Sequence, residues 1–441
     1  MYKFSKYNHY GRLDSGDILL YNVFSSSVAL LSVEEFERLR NESRPALKTV
    51  DLFKTAASQG FVVPSDEDET AKLLALRHSN NFNDRRAAFQ ILPTTGCNAR
   101  CFYCYEQDFS PCTMTRETAD AVVSFILDYC ETMEEVTIAW FGGEPFTCEK
   151  TMAYISSKLI PAFDQRGTRY FANVITNAAL ISQNNIENIV RDYRISSVQI
   201  TLDGHGEEHL KRKNYIDRNV SYEQIIEAIS LLTNKGVQVL VRINADRNNL
   251  DSCMEAIRDL ALSGADQEFL WPYVAPLYSD KNASHCIPKS ELNAVFARAY
   301  KTLIDFGFIR SVDGLPMNFA NATCCAKMLN NFVIAPNGDI SKCEHLLNVE
   351  DEVIGNVSTG LRFNAAFARW TSTDIPDKCL ECGYLPICQA GCAAAEHRGF
   401  GYGRCAHIAF IHDAVITAAN YLLKKGGEQH DGLAQEQRSF Q

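Results

Sequence analysis

Phe89-Gln90-Ile91-Leu92-Pro93-Thr94-Thr95-Gly96-Cys97-Asn98-Ala99-Arg100-Cys101-Phe102-Tyr103-Cys104 joins a short apolar run to a CxxxCxxC loop. The run reads as a strand and the loop as a metal site. Three thiolates can hold three irons of a [4Fe–4S] cube, and no fourth ligand stands nearby in the sequence. The remaining iron is then open to another molecule, so the centre suits chemistry as well as electron transfer. Zinc usually takes four ligands with CxxC pairs; this loop offers three with a wider first gap.

Working outward, the strand is the first of six. Apolar runs at Phe89–Pro93, Val136–Phe141, Phe171–Thr176, Val198–Leu202, Val237–Ile243 and Glu268–Trp271 alternate with helical patterns near 116–133, 148–164, 183–192, 221–235 and 250–263, with a further helix at 289–306. Alternating βα units imply parallel strands joined by right-handed crossovers. Six units are too few for a closed eight-stranded barrel, so a partial (β/α)6 TIM-like barrel is expected. A doubly wound sheet is the alternative, but no G-x-G-x-x-G follows the first strand. Polar or glycine-rich residues gather where the strands end: the cysteine loop, Gly142-Gly143-Glu144-Pro145, Thr176-Asn177, Asp203-Gly204 and Asn244. Barrel enzymes carry their chemistry on that rim.

The chain has 441 residues, 46% hydrophobic and 22% charged, enough for about three globular domains. A net charge of −11 argues against a general nucleic-acid or anionic-membrane binder. No apolar run approaches a membrane span, and Met1–Tyr10 lacks the apolar core of a secretory signal, which places the chain in the cytoplasm. There its 16 cysteines are ligands or thiols rather than disulfides. Residues 1–96 contain none, eight lie from Cys97 to Cys286 and eight from Cys324 to Cys405. The expected domains are an N-terminal module at 1–64, a linker at 65–88, the barrel at 89–310, a cysteine-rich domain at 311–423 and a flexible tail at 424–441. In the first, Asp17–Asn22 and Ser27–Leu31 read as a hairpin, Ser32 and Glu35 as a capping box, 48–58 as a second helix and Phe61–Pro64 as a closing strand. That order is winged-helix-like.

The cysteine loop, with Tyr103 before its third thiol, resembles that of radical S-adenosylmethionine (SAM) enzymes. The resemblance implies that Cys97, Cys101 and Cys104 bind a cluster whose open iron chelates SAM. One electron then cleaves SAM to a 5′-deoxyadenosyl radical, which removes a hydrogen atom from an unactivated carbon. Gly142, Gly143, Glu144 and Pro145 match the family's GGEP motif, which holds the SAM amino group; a carboxylate facing an ammonium is a charge-assisted pair. Asn177, Gln199, Asp203, Arg212, Arg242 and Asn244 are candidates for ribose, carboxylate or substrate contacts.

The later cysteines, CxxC-x5-C-x3-C and then Cys405, with Cys325 and Cys343 upstream, resemble the SPASM domain and its two auxiliary [4Fe–4S] clusters. By that resemblance Cys379, Cys382, Cys388 and Cys405 bind the outer cluster and Cys325, Cys343 and Cys392 the inner one. The inner cluster's fourth ligand is Cys324, or the site stays open for a substrate thiolate. Cys112, Cys130, Cys148, Cys253 and Cys286 match no ligand pattern. The N-terminal module resembles the leader-peptide recognition element of enzymes that modify ribosomally made peptides. Together these features imply three clusters, SAM, a precursor peptide with a leader, and an electron donor such as flavodoxin or ferredoxin. The activity implied is an oxidative thioether or carbon–carbon crosslink. Formylglycine formation by an anaerobic sulfatase maturase, or peptide epimerisation, is the alternative.

Overall fold

The structure is a computed structural model that describes residues 1–42, 50–277, 284–315, 324–372, 375–388, 390–392, 394 and 411–438, with no side-chain description beyond 426. The chain divides into two compact units. One comprises Met1–Ser79, Pro288–Thr323 and Asp374–Gln441; the other comprises Asn80–Ile287 and Cys324–Thr373. Among the described residues no helix is long and apolar enough to cross a membrane.

In the first unit, β1 (Tyr2–Phe4) pairs antiparallel with β5 (Val62–Pro64), while β2 (Asn8–Arg12), β3 (Ile18–Asn22) and β4 (Ser27–Leu31) form an antiparallel sheet with β3 in the middle. The expected hairpin is β3–β4. Strand β2 was not expected, because Asn8-His9-Tyr10-Gly11-Arg12 carries no apolar alternation. Its backbone instead completes the ladder of the fully buried β3. Helix α1 (Val33–Asn41) begins with the capping box, in which Ser32 accepts from the Glu35 amide and Glu35 reaches back. Phe36 and Leu39 of α1, Phe53 and Ala56 of α2 (Val50–Ser58), and Ile18, Leu20, Phe61 and Val62 form one apolar core. Residues 65–88 include a full helix, α3 (Glu69–Asn81).

In the second unit, β6 (Arg86–Ile91), β7 (Glu135–Trp140), β8 (Arg169–Thr176), β9 (Ile195–Leu202), β10 (Gln238–Ala245) and β11 (Leu270–Pro276) are parallel, and each pairs with its neighbour in sequence. A doubly wound sheet reverses its strand order midway; this one never does. The chain therefore winds in one direction, as in a barrel, and the two outer strands of the six remain unpaired with each other. Helices α4 (Arg116–Tyr129), α5 (Glu149–Arg166), α7 (Tyr222–Thr233) and α8 (Leu250–Leu262) fall where the apolar periodicity places them.

Two connections differ from expectation. The helix expected over 183–192 is a short π-type turn, Asn188–Asp192. The Asn185 side chain accepts from the Ser182 amide (2.9 Å), a local bond that competes with helical pairing. Between β9 and α7 lies an additional helix, α6 (Gly206–Lys213), whose buried residues are His209, Arg212 and Lys213. A helix with a polar buried face shows no apolar stripe, so periodicity alone does not find it.

Beyond β11, α9 (Leu292–Asp305) belongs to the first unit. In the second unit, β12 (Asn331–Ile334) pairs parallel with β6. Then β13 (Asp339–Ser341), β14 (Gly355–Asn356) and β15 (Gly360–Leu361) continue the sheet antiparallel. Helix α10 (Ala365–Thr371) follows. Short helices α11 (Asp377–Leu380) and α12 (Leu385–Cys388) and the last helix, α13 (His412–Arg438), belong to the first unit. Where a flexible tail was expected after residue 423, the backbone stays helical to Arg438. Helix α13 packs on α9, with the Tyr421 hydroxyl donating to Asp305 (2.6 Å).

Phe89 on β6 ties the barrel to β12. It is fully buried and stacks on Phe332 (5.8 Å between ring centroids), with Phe125 and Tyr129 edge-on. Phe89→Ala is expected to cost about 3–5 kcal/mol of stability. Denaturant unfolding should also show the Phe89→Ala and Phe332→Ala costs to be non-additive, because the rings touch.

Candidate active site

The cysteine loop has little regular structure, so its shape comes from what grips its backbone. The Arg100 amide donates to the carbonyls of Lys213 (2.9 Å) and Asn214 (3.1 Å), and the Ile216 amide donates to the Asn98 carbonyl (2.8 Å). The end of α6 is thus one jaw. Asn214 closes the helix in the left-handed conformation (φ +49), which asparagine tolerates better than most residues.

The second jaw is Gly142-Gly143-Glu144-Pro145. The Gly143 amide donates to Thr94 (3.2 Å) and the Glu144 amide to Gly96 (3.0 Å). A Cβ on Gly142 would stand 2.3 Å from the Thr94 carbonyl oxygen, and one on Gly143 would stand 2.2 Å from that of Gly96. Glycine is required at both places because backbone lies on backbone.

Glu144 is fully buried. Its carboxylate accepts from the Phe146 amide (3.2 Å), the Thr176 hydroxyl (2.8 Å) and the Asn177 amide (2.8 Å). Burial raises its pKa, and these bonds with the Lys213 charge oppose the rise. Asn177 in turn donates to the Asn98 side chain (2.7 Å). The ends of β7 and β8 and the cysteine loop are therefore fastened together through Glu144 and Asn177.

A second buried network stands on β9, β10 and α6. The Tyr103 hydroxyl donates to Asp203 (2.6 and 2.7 Å) and accepts from Lys213 (3.2 Å) and Asn244 (3.1 Å). Lys213 also donates to Thr201 (2.7 Å), and Asn244 to Asp203 (3.0 Å). Burial alone would raise the Asp203 pKa, but Lys213, His209, Tyr103 and Asn244 outweigh it and hold it low. Burial likewise pulls Lys213 down, and Asp203 with the Cys101 and Cys97 thiols outweighs that and raises it. Both groups are charged. Removing either would strand the other, a cost of about 3–5 kcal/mol.

Of the other candidates, Arg242 donates to Asn244 (2.9 Å). Arg212 pairs with Asp246 and lies over the Phe102 ring (5.0 Å). Gln199 bonds Tyr273 (3.2 Å), a pairing separate from the Asp203 network. Lys213, His209, Asp246 and Asn249 were not singled out from the sequence. Asn249 donates to the carbonyls of Asp203 and Asn244 (both 2.9 Å). The available signal was a polar i, i+3, i+4 set, His209, Arg212 and Lys213, directly after a rim Asp-Gly.

Cys97, Cys101 and Cys104 are each half-buried and lie within electrostatic range of one another. Burial pushes the Cys97 thiol up to about 11 and the Cys104 thiol up to about 12. It raises Cys101 as well, against the nearby Lys213 charge. Thiols in this state become thiolates on a cationic centre, so the donor set fits an iron–sulfur cluster. Among the described residues no three His, Cys, Asp or Glu side chains converge as ligands of one metal ion. A cube asks for something else, one thiolate on each of several irons.

Cys324, Cys325 and Cys343 are also neighbours, and Cys324 and Cys325 share a hydrogen bond that favours the thiolate on Cys324 and the proton on Cys325. Cys379, Cys382 and Cys388 follow one another through tight turns: the Cys382 amide donates to Cys379 (3.1 Å) and the Cys388 amide to Tyr384 (2.8 Å). Cys392 is exposed, and Cys405 lies outside the described residues. Cys130 and Cys253 are fully buried, and the Cys253 thiol donates to the Asn244 carbonyl (3.6 Å). No disulfide joins any described cysteines.

His209 supplies a pH test of the polar helix face. Its Nδ1 accepts from the Asp203 amide (3.2 Å), which leaves Nε2–H facing the Tyr215 hydroxyl (3.3 Å). Burial, with Lys213, lowers its pKa from 6.5 to about 3. The unfolded chain therefore binds a proton that the folded chain refuses. His209 contributes full stability above 6.5, and that contribution is lost as pH falls toward 3. Urea unfolding should show stability declining below pH 6.5. His209→Asn, which keeps an acceptor where Nδ1 stood, should flatten that decline.

Residues 91–261 match the model of the radical SAM superfamily. The chain is 24% identical over 344 residues to a cysteine-type anaerobic sulfatase-maturating enzyme of Clostridium novyi (strain NT), a match spanning 70% of this chain and 88% of the relative. Among solved structures, native anSMEcpe with bound AdoMet and Cp18Cys peptide aligns with a TM-score of 0.55 and 16% identity, over 78% of this chain and 99% of that one. Streptococcus suis SuiB bound to precursor peptide SuiA aligns with a TM-score of 0.52 and 16% identity, over 92% of this chain and 99% of that one. Residues 91–261 thus form a radical SAM domain, which implies a [4Fe–4S] cluster and S-adenosylmethionine, and the chain around it is similar to enzymes that carry the same domain.

Proposed function

We propose that the chain is a peptide maturase that oxidatively crosslinks a ribosomally made precursor, through a thioether or a carbon–carbon bond. The observation that carries this reading is how far each similar fold reaches. The anSMEcpe structure is matched almost whole yet accounts for 78% of this chain, whereas SuiB, seen with a precursor peptide, accounts for 92%. The additional length favours an enzyme that carries a module besides the barrel and cysteine tail. The sheet β2–β3–β4 with α1 and α2 is such a module. Its outer strands can accept the leader as an added strand.

In this reading Cys97, Cys101 and Cys104 hold the SAM-binding cluster. When bound, that cluster and SAM supply the 5′-deoxyadenosyl radical that abstracts hydrogen from the substrate. Tyr103 is locked by Asp203, Lys213 and Asn244 and so fixes the loop beside Cys104. Gly142–Pro145 would hold the SAM amino group, and Gln199, Arg212 and Arg242 are candidates for contacts to SAM or substrate. Cys324, Cys325 and Cys343 would hold the inner auxiliary cluster, and Cys379, Cys382, Cys388 and Cys405 the outer one. A crosslink removes two electrons from the peptide. One leaves with the abstracted hydrogen atom; the auxiliary clusters, held by these cysteines, would supply an acceptor for the other as the second proton leaves to solvent, and a flavodoxin or ferredoxin would be the electron donor for SAM cleavage. A cytoplasmic location suits the oxygen-sensitive centres.

The similarity to the Clostridium novyi enzyme favours a second reading, formylglycine formation on a sulfatase. Anaerobic incubation with reductant, SAM and the peptide encoded beside the gene separates the two. The first reading predicts a product lighter by two hydrogens, with the crosslink located by fragmentation. Conversion of a sulfatase-derived cysteine peptide to formylglycine would replace it, and absence of 5′-deoxyadenosine would sink both. Replacing Cys97, Cys101 and Cys104 with Ala should abolish SAM cleavage and leave the auxiliary iron in place. Gly143→Ala should displace the Thr94–Gly96 backbone and release iron from the SAM-binding cluster alone, read as a selective loss of its electron paramagnetic resonance (EPR) signal.

A further inference from the structure

The N-terminal segment does more in this fold than form a small sheet. Three of its side chains reach main-chain carbonyls inside the Cys379–Cys388 run, one between Cys379 and Cys382 and two between Cys382 and Cys388. The Lys6 ammonium, on the β1–β2 connection, donates to Leu380 (2.8 Å), between Cys379 and Cys382. His9 on β2 donates through Nε2 to Gly383 (3.2 Å), just after Cys382, and its ring stacks on Tyr384 with centroids 3.9 Å apart. Arg77 on α3, only 8% exposed, donates to Leu385 and to Pro386 (3.3 Å), just before Cys388. The Arg77 guanidinium lies within electrostatic range of the Cys388 thiol. Tyr21 on β3 completes the contact, bonding both Tyr384 and His412 Nδ1 (2.7 Å).

A run of short turns leaves carbonyls that no ladder satisfies, and here the beginning of the chain satisfies them. At Gly383 a Cβ would stand 3.2 Å from both the Lys6 carbonyl and the His9 ring.

We propose that Lys6, His9 and Arg77 are positioning residues for the outer auxiliary cluster, so that the N-terminal module is part of that cluster's cradle. This rests on the assignment of Cys379, Cys382 and Cys388 as ligands made above. Two mechanisms are involved. The carbonyl bonds and the stacked Tyr384 fix the spacing of the three thiols, as partners behind a ligand shell do. The Lys6 and Arg77 charges, close to an anionic cluster, favour its reduced form, since net charge and hydrogen bonding set cluster potentials.

The test uses the full-length, cluster-loaded chain. Arg77→Met and the pair Lys6→Met, His9→Ala should release the outer cluster's iron to a chelator at least about tenfold faster than the parent. EPR-monitored titration should move that cluster's potential downward, with the SAM-binding cluster and its SAM cleavage unchanged. Arg77→Lys should restore the potential in part, because it keeps the charge and loses the fork. Lys3→Met, on the same segment but bonded to Glu67, is the control and should change nothing. Unchanged release and unchanged potential in both variants would overturn the proposal while leaving the cluster assignment intact. A parent chain that holds no outer cluster would overturn the assignment and the proposal together. If a variant folds poorly, loss of all clusters in parallel would also count against it, since the proposal demands selective loss.

Discussion

The cysteine loop is held by main chain, and everything reactive depends on that grip. From one side the Lys213 and Asn214 carbonyls take the Arg100 amide. From the other, two glycines let Gly142–Glu144 lie directly against Thr94–Gly96. Backbone contacts of this kind do not slide as side chains do, so the three thiols are fixed relative to the ends of β7 and β9. The rim is in effect one piece, in which Glu144 and Asn177 join strand ends and Tyr103 joins the loop to Asp203.

That rigidity comes with charge buried deep in the unit. Asp203, Lys213, Arg212 and Asp246 are each at most 6% exposed and stand as two oppositely charged pairs. Such pairs add little net stability over apolar packing. Their value here is placement, since a carboxylate fixed by three donors and an ammonium fixed by three acceptors can each take few other positions. A charge near the thiols is then constant in place and sign.

Much of this was legible in the sequence because apolar runs of strand length and rim polar residues coincide. Each of the six parallel strands follows its run, though β11 starts at Leu270 and extends to Pro276, past the Trp271 end expected. What stayed hidden shares one physical reason: the signal lay in a partner and not in the segment itself. Helix α6 buries charge, so it lacks an apolar stripe. Strand β2 is polar and is defined by the ladder of β3 and by Gly11, where a Cβ would strike Ile416 of α13 at 2.5 Å. Strand β12 joins β6 from far along the chain, a pairing that no local pattern encodes. At the site, Asp203 and Asn244 stood out by their rim position, whereas Lys213 required knowledge of the helix that carries it.

The grasp of Lys6, His9 and Arg77 on the Cys379–Cys388 turns bears on how such enzymes can be re-engineered. On the proposed reading, swapping everything up to β4 for its counterpart in a relative, to redirect the enzyme to a foreign leader, would exchange two of the three grips as well. With the roles proposed for the two segments, a chimera built that way accepts its new leader and still fails for want of an electron sink. Keeping Lys6 and His9 in their native context, and cutting between β2 and β3 instead, separates the choice of leader from the upkeep of the metal.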